Sequence, residues 1–324
     1  MRRWLPVLIS ATGGSAVTDR ISPSRLATYM TCPRQFEFDY VHNLEGEDQT
    51  DMQRYFDRGR VLDTALQKTA DTVTTETDAD TVQQLARENF VDEWETTTAL
   101  ENYPSPASYE YDRRLAAAAV EDYIDPQTDG DGIGHLQRSV GTEVHLEWTD
   151  DDLGAMHGYA DNIVRTQDGF LIIDYKASYS GRRFPNKSGS DLESQLDGSG
   201  LYPSRLKKWL QIAMYWAGLK EHELYSPGDE IQFIFYGLIG SKSRTPTDDG
   251  YTVEVSGKEW DMTGLYEEYQ DELWTYISDS IAGIDEEAFD PTGETWGLIQ
   301  EEACGDCDYQ PACGDYLAEE VRFS

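Results

Sequence analysis

The fold is decided by residues 158–176, which read GYADNIVRTQDGFLIIDYK. Two runs rich in β-branched and aromatic residues flank a polar turn that contains glycine, and this pattern predicts strands over 154–164 and 169–176. Asp174 and Lys176 are two residues apart, so their side chains point to the same face of the second strand. A hairpin of this length brings Asp161 beside them.

Two carboxylates beside one lysine are suited to metal-assisted hydrolysis of a phosphodiester. Carboxylate oxygens bind hard divalent cations, and a bound cation activates water and neutralises the charge that develops on the phosphate. The lysine orients the attacking water or adds positive charge at the transition state. The alternative interpretation of the same residues is a surface ion pair at a strand end.

The elements on either side of this hairpin predict an α/β fold. Strand patterns cover 139–148 and 231–239, and Ser22 followed by Pro23 starts a helix that ends near residue 31. Helical patterns cover 33–40, 51–70, 79–98, 107–124, 205–220 and 258–284. The segment 126–134 has the composition of a linker, and 180–200 that of a polar loop. We therefore predict a mixed central sheet flanked by helices.

The four cysteines form a compact triplet and one remote residue. Cys304, Cys307 and Cys313 are spaced C-x2-C-x5-C, and Cys32 lies far upstream. Four thiolates complete one tetrahedral zinc site or one [4Fe–4S] cluster. Two disulfides are the alternative, which we disfavour because a C-x2-C pair closes on itself only with strain. The pattern predicts a metal centre that joins the two ends of the chain.

The charge balance is strongly acidic. Among 324 residues, 62 Asp and Glu stand against 26 Lys and Arg, for a formal net charge of −36. The acidic residues are spread along the chain, a pattern that favours adaptation to molar salt, where the Debye length shrinks to about 3 Å. An acidic protein of ordinary salt is the alternative. Hydrophobic residues at 39% exclude global disorder, and no apolar run reaches the roughly 18 residues of a membrane helix.

These residues resemble a known nuclease signature. Asp161, Asp174-Tyr175-Lys176 and Gln211…Tyr215 are similar to the D…(D/E)-x-K…Q-x3-Y pattern of the PD-(D/E)xK nucleases. The chain most resembles the RecB-type exonuclease branch, which includes AddB-like and CRISPR-adaptation nucleases. The opening Ser24-Arg25-Leu26…Tyr29…Cys32-Pro33 and the cysteine tail resemble the iron–sulfur members of that branch. The resemblance covers residues 21–316.

The resemblance implies a fold, a domain order and a set of site residues. It implies a restriction-endonuclease-like core at 136–295, after a flexible leader (1–20), N-terminal helices (21–63) and a helical insertion (64–135), and before an iron–sulfur segment (296–324). It makes Asp161, Asp174 and the carbonyl of Tyr175 ligands of Mg²⁺ or Mn²⁺, and Lys176 catalytic. Gln211 and Tyr215 support this site or contact DNA, with ordinary helix packing as the alternative. Cys32, Cys304, Cys307 and Cys313 hold a [4Fe–4S] cluster, with structural Zn²⁺ as the alternative.

The chain departs from the family at one ligand. The family usually has G-x3-H on an early helix, whereas Gly59 is followed here by Asp63. Aspartate is a harder donor than histidine and favours Mg²⁺, so Asp63 is a candidate ligand, although the change is also compatible with a weakened site. His157 is a candidate substitute for the missing histidine, but an ordinary strand residue is the more common interpretation.

Local basic charge points to nucleic acid. The segment 176–208 carries seven basic and three acidic residues in an otherwise acidic chain. Besides Lys176, the candidate phosphate-binding residues are Arg182, Arg183, Lys187, Arg205, Lys207 and Lys208. Phe184, Tyr202 and Trp209 are interleaved with them and are candidates for stacking on bases, with burial of Trp209 in the core as the alternative.

We therefore expect a cytoplasmic, metal-dependent DNA nuclease, most similar to exonucleases that act on single strands or DNA ends. One alternative is a catalytically weak DNA-binding or scaffold subunit of a nuclease–helicase complex, and another is a zinc-containing protein that acts on RNA. The sequence has no Walker loop, so helicase activity would come from a partner in recombination or CRISPR processing. Arg2-Arg3 and the short apolar stretch 4–11 resemble an export signal, but Pro6 interrupts the stretch and no clear small-x-small cleavage site follows. We therefore favour a flexible leader or a start codon placed too early.

Overall fold

The computed structural model describes residues 20–44, 52–128, 131–178, 181, 183–248, 250–291 and 295–320. Within these residues, five strands form one mixed sheet in the order β1-β2-β3-β4-β5. The strands are β1 (Ser139–Asp150), β2 (Gly154–Arg165), β3 (Gly169–Lys176), β4 (Glu230–Thr247) and β5 (Gly250–Asp261). The four predicted strands are confirmed. Residues 1–19 of the predicted leader and Arg182 lie outside the described residues.

The sheet is antiparallel except at its centre. β1, β2 and β3 form a meander, β3 pairs with β4 in parallel, and β4 pairs with β5 in a long antiparallel hairpin. β3 is apolar on both faces because helices cover both sides of a central strand, and Ile172 and Ile173 are fully buried on opposite faces. This placement puts the carboxyl end of β3 inside the molecule.

Besides four short helices of other types, eleven α-helices are found among the described residues. They are α1 (Pro23–Thr31), α2 (Pro33–Phe36), α3 (Gln53–Thr72), α4 (Ala79–Thr97), α5 (Pro106–Tyr123), α6 (Gly132–Gln137), α7 (Ser190–Leu196), α8 (Pro203–Glu221), α9 (Thr263–Asp285), α10 (Trp296–Glu302) and α11 (Gly314–Glu320). Ser22 caps α1 by accepting a hydrogen bond from the Arg25 N–H, as predicted. No helix in the described part of the chain is long and apolar enough to cross a membrane.

The helices form two layers around the sheet. α1, α8 and α9 pack on one face, in a core that includes Leu146, Ile172 and Phe233. α3, α4 and α5 pack on the other face, in a core that includes Val164 and Ile173. The predicted mixed sheet flanked by helices is therefore confirmed. The segment 64–135 supplies most of this second layer, and the expected boundary between residues 63 and 64 falls inside α3.

The sequence prediction was wrong in three segments. The expected helix over 258–284 is two elements, because β5 continues to Asp261 and α9 begins at Thr263. In β5, Tyr251, Val253 and Val255 alternate with polar residues, which is the period of a strand rather than a helix. The loop expected at 180–200 contains α7, and the linker expected at 126–134 overlaps the start of α6.

Candidate active site

The carboxyl end of β3 presents one carboxylate and one amine on the same face. Asp174 is 1% exposed, and its Oδ2 forms an ion pair with Lys176 Nζ. The Lys176 side chain is 27% exposed, so the amine lies at the boundary between the buried carboxylate and solvent. The predicted proximity of these two side chains is present in the structure.

Asp161 reaches the same place from β2. β2 and β3 are paired from Asn162 and Ile173 toward the turn, so Asp161 lies where the two strands begin to separate. Its Oδ2 accepts a hydrogen bond of 2.7 Å from the Tyr175 N–H. This bond places the Asp161 carboxylate beside the backbone that joins Asp174 to Lys176.

Two further carboxylates complete the cluster. Ligand oxygens of Asp63, Glu143 and Asp161 lie within 4.8 Å of one another, and among the described residues this is the one group of three or more metal-ligating side chains that is so compact. Asp63 comes from α3 and Glu143 from β1. The candidate ligand Asp63 therefore does lie in the cluster, at the position where the family usually has histidine.

Glu143 was missed by the sequence analysis. The signal was available in the hairpin register: Asp150 pairs with Gly154 beside the turn, and counting back along both strands places Glu143 opposite Asp161. Glu143 has a positive φ of 46°, and this unusual conformation for a residue other than glycine is the local strain at the cluster. Without the pairing of the two strands, nothing in the sequence around Glu143 indicates that it lies opposite Asp161.

Burial and mutual repulsion hold protons on these acids. Burial, Glu143 and Asp174 raise the pKa of Asp63 to about 7, against the opposing effect of Lys176. Burial and Asp174 raise the pKa of Asp161 well above its usual value, and burial also raises the pKa of Glu143. Burial acts to lower the pKa of Lys176, but Asp174 and Asp161 outweigh it and raise the pKa. One lysine does not balance four carboxylates, so the donor set fits a hard divalent cation.

α8 supports this cluster from one layer of helices. Gln211 Nε2 donates to Asp174 Oδ1 at 2.7 Å and to the Tyr215 hydroxyl at 3.2 Å. Gly158 permits this approach, because a Cβ at that position would lie 2.4 Å from the Tyr215 ring. Gln211 and Tyr215 are both buried, so their position fits orientation of the Asp174 carboxylate better than direct contact with a nucleic acid strand.

Comparison with known proteins decides the family. The family model described as the PD-(D/E)XK nuclease superfamily matches residues 20–314. The chain belongs to this superfamily. A search of curated protein sequences found no match. Membership makes the protein a nuclease of the hydrolase class, and the superfamily's use of divalent metals agrees with the carboxylate cluster.

Two of the predicted basic residues face the nuclease site. Lys207 and Lys208 precede Gln211 on α8 by one turn, on the same side of the helix. Burial, followed by repulsion from Lys176, lowers the pKa of Lys207, and the same causes lower that of Lys208 to about 8. The effect of Lys176 on both pKa values indicates that the two amines lie near the Lys176 amine.

The other predicted basic residues are placed differently. Arg205 forms an ion pair with Asp191, so part of its charge is used within the protein. Lys187 lies over the Trp260 ring at 4.9 Å, and Arg183 is exposed. The positive charge closest to the nuclease site therefore comes from α8 rather than from the whole segment.

The prediction that Trp209 and Phe184 stack on bases was wrong. Trp209 is 1% exposed and Phe184 is 3% exposed, and both belong to the core. Tyr202 packs against Trp209 with ring centroids 6.2 Å apart. Trp209 is two residues from Gln211 and so lies on the side of α8 away from the Asp174 carboxylate, whereas Lys207 and Lys208 lie one turn before Gln211 and are at least partly exposed.

His157 does not take the place of the usual histidine ligand. It is not in the compact group formed by Asp63, Glu143 and Asp161 among the described residues. It lies farther along β2, with its ring 5.9 Å from that of His145. The interpretation of His157 as a strand residue outside the ligand set fits the structure better.

The four cysteines lie close together where the ends of the nuclease fold meet. All four are free, and charges on Cys307 and Cys313 contribute to the raised pKa values of Cys32 and Cys304, after the larger effect of burial. The carboxyl-terminal segment is anchored near Cys32 by Arg34, which donates to Asp315 at 2.8 Å. Tyr309 adds a hydrogen bond of 2.6 Å to Asp39.

Proposed function

We propose that this protein is a Mg²⁺- or Mn²⁺-dependent deoxyribonuclease. The observation that supports this function most directly is the convergence of four carboxylates and one lysine at the carboxyl end of β3. Burial and repulsion raise the pKa of Asp63 to about 7, so that its carboxyl group holds a proton near neutral pH, and a divalent cation is the ligand that relieves this repulsion. Hard oxygen donors favour Mg²⁺ or Mn²⁺ over softer metals.

The residues divide the chemistry between them. Asp63, Glu143, Asp161 and Asp174 would hold the cation, with the Tyr175 carbonyl as a further ligand. When bound, the cation supplies Lewis-acid stabilisation of the phosphate and a water of lowered pKa. Lys176 stays protonated beside Asp174 and is placed to orient that water or to stabilise negative charge on the phosphate. Gln211 keeps the Asp174 carboxylate in position through its 2.7 Å hydrogen bond.

The position of Asp63 helps to decide between an active nuclease and a catalytically weak scaffold subunit. Its replacement of the usual histidine was the main argument for a catalytically weak scaffold subunit. Its oxygen lies in the compact ligand group, which supports an intact metal site built from carboxylates alone. An all-oxygen site of this kind favours an active enzyme over a scaffold.

The substrate we propose is single-stranded DNA or a DNA end, cut as an exonuclease of the RecB type. Lys207 and Lys208 extend positive charge from the nuclease site along α8, and they suit a strand that leaves the site in that direction. The acidic composition supports a location in the cytoplasm of a salt-adapted organism. A partner protein that acts as a helicase, in recombination or in CRISPR processing is the proposed source of single-stranded DNA.

The cysteine group is proposed to bind a [4Fe–4S] cluster. Four free thiols that lie near one another support a metal centre, and the resemblance to the iron–sulfur nucleases favours a cluster over Zn²⁺. The cluster would join residues 23–44 to the carboxyl-terminal segment. Anaerobically purified protein is expected to be brown, and metal analysis that found zinc without iron would contradict this assignment.

The substrate is tested with one sequence prepared in three forms. Single-stranded DNA, duplex DNA and RNA are each labelled at the 5′ or the 3′ end and incubated with Mg²⁺ or Mn²⁺ in molar KCl. The proposal predicts fastest cleavage of the single strand, with mononucleotides released early from one labelled end. Faster cleavage of RNA, or internal products that appear first from both labels, would contradict the proposed substrate and mode.

A further inference from the structure

The β1–β2 hairpin carries a group of aromatic side chains near the metal ligands. The rings of His145, His157 and Tyr159 meet on one face of the hairpin. His145 pairs directly with Tyr159, two residues along each strand from Glu143 and Asp161. Two residues along an antiparallel strand span about 7 Å. The aromatic pair, His145 and Tyr159, thus lies about 7 Å along the strands from the carboxylates.

The aromatic pair is exposed and ordered by its own stacking. Tyr159 is 48% exposed, and its ring lies 4.7 Å from the His145 ring at an interplanar angle of 24°. The His157 ring meets both rings by its edge, at 5.9 and 6.4 Å. The tyrosine is therefore supported from one side while half of its surface remains open.

The strand edge beside Tyr159 is also open. Ile21 pairs with β2 at Met156, and β3 pairs with β2 from Asn162 onward. Within the described residues, 158–161 have no neighbouring strand on that side, although the Tyr159 N–H bonds to the Tyr215 hydroxyl. The part of the Tyr159 ring that is open to solvent therefore lies two residues along β2 from Asp161.

We propose that Tyr159, supported by His145, stacks on the base of a nucleotide next to the phosphate that the site cleaves. The occupant is an unpaired base, because a paired base is already stacked inside its duplex. Stacking also suits this chain because phosphate contacts weaken steeply with salt, and a net charge of −36 opposes a polyanion. This inference rests on the proposed nuclease function and gives a reason for its preference for single strands.

The test combines substitution of Tyr159 in the protein with removal of a single base from the DNA. Oligonucleotides that carry a single abasic position, moved along the strand, are compared in single-turnover cleavage by wild type, Tyr159→Ala and Tyr159→Phe. On intact single-stranded DNA, Tyr159→Ala is expected to raise the half-saturating DNA concentration by about 5- to 100-fold. Tyr159→Phe keeps the ring and is expected to match wild type. At one abasic position, the difference between wild type and Tyr159→Ala should disappear.

A fluorescent base gives a readout that does not depend on cleavage. 2-Aminopurine at the position found by the abasic series is expected to be quenched on binding to wild type and Tyr159→Phe, but not to Tyr159→Ala. The matched control is Tyr251→Ala, which removes a tyrosine stacked by Arg244 at 4.0 Å near the tip of the β4–β5 hairpin. The control variant should cleave and quench as wild type does.

The two proposals fail in different ways. If cleavage remains sensitive to Asp174→Ala while Tyr159→Ala behaves as wild type on every oligonucleotide, the stacking inference is wrong and the nuclease stands. If Tyr159→Ala loses affinity equally at all abasic positions, the residue has a general role and the inference is also wrong. If wild type neither binds nor cleaves DNA, both proposals are wrong.

Discussion

The Asp63→Asn substitution tests whether the carboxylate cluster that would bind a cation lowers the free energy of unfolding of the metal-free protein. Asp63 lies in α3, and burial together with Glu143 and Asp174 raises its pKa from 3.8 to about 7. A raised acid pKa means that the folded protein retains a proton which the unfolded chain has lost. The free energy of unfolding without metal should therefore fall as the pH rises from about 4 to 7.

The size of this effect follows from the pKa difference. One pKa unit corresponds to about 1.4 kcal/mol, so a rise from 3.8 to about 7 sets an upper limit of about 4 kcal/mol at pH 8. Asparagine has the same shape but no charge to repel Glu143 and Asp161. Without metal at pH 8, Asp63→Asn is therefore expected to be more stable than wild type, and at pH 4 the two should be nearly equal.

Metal binding should change in the opposite direction. Asparagine removes an anionic ligand, so the affinity for Mg²⁺ or Mn²⁺ is expected to fall by about tenfold or more. Wild type should also release about one proton more than Asp63→Asn when it binds metal at pH 6.5, because the Asp63 carboxyl must ionise to become a ligand.

The assay is urea unfolding in EDTA at pH 4, 6 and 8, paired with titration calorimetry of Mn²⁺ in two buffers of different ionisation enthalpy. Asp92→Asn, a change of an exposed carboxylate beyond the first turn of α4, is the matched control and should alter neither quantity. A destabilised Asp63→Asn at pH 8, or unchanged metal affinity and proton release, would refute the reasoning.

Three further outcomes follow from the site and the cysteine group. Lys176→Met should reduce the cleavage rate by at least about 10²-fold while the Mn²⁺ affinity changes little, because the lysine neutralises charge but does not bind metal. If calorimetry shows that the Mn²⁺ affinity falls as much as the cleavage rate, this reasoning is wrong. Replacing Lys207 and Lys208 by alanine should lower the slope of log affinity against log salt for single-stranded DNA by about 1.4, and an unchanged slope would remove them from the interface. Cys307→Ser should abolish the visible absorbance of the proposed cluster and lower the melting temperature, whereas full absorbance and unchanged melting would contradict its assignment as a ligand.

Local patterns were sufficient to predict most of the sheet and its nearest site residues. β3 is an apolar strand that ends in Asp174 and Lys176, and both the strand and the proximity of Asp161 follow from alternation and turn chemistry. Glu143 was not found because its role depends on pairing across the hairpin and on a positive φ, neither of which a single strand pattern shows.

The sequence also did not show which side chains of a helix are buried. Trp209 and Lys208 are adjacent in the sequence, yet one lies in the core and the other is partly open, because α8 lies between the sheet and the helices α1 and α9 and Lys208 is near its amino-terminal end. Sequence proximity to basic residues therefore could not identify the exposed aromatic surface, which lies on β1 and β2 instead. β5 was missed because its last four residues, 258–261, continue into the helical pattern of α9 with only Met262 between them.

The central claim is that this carboxylate cluster hydrolyses DNA with a bound divalent cation. The most direct measurement is single-turnover cleavage of labelled single-stranded DNA with Mg²⁺ or Mn²⁺ in high salt, by wild type, Asp161→Asn and Asp174→Asn purified anaerobically. The account predicts cleavage by wild type that stops with EDTA, and at least about 10²-fold less by either folded variant. Variants that cleave as fast as wild type, or cleavage that persists in EDTA, would contradict it.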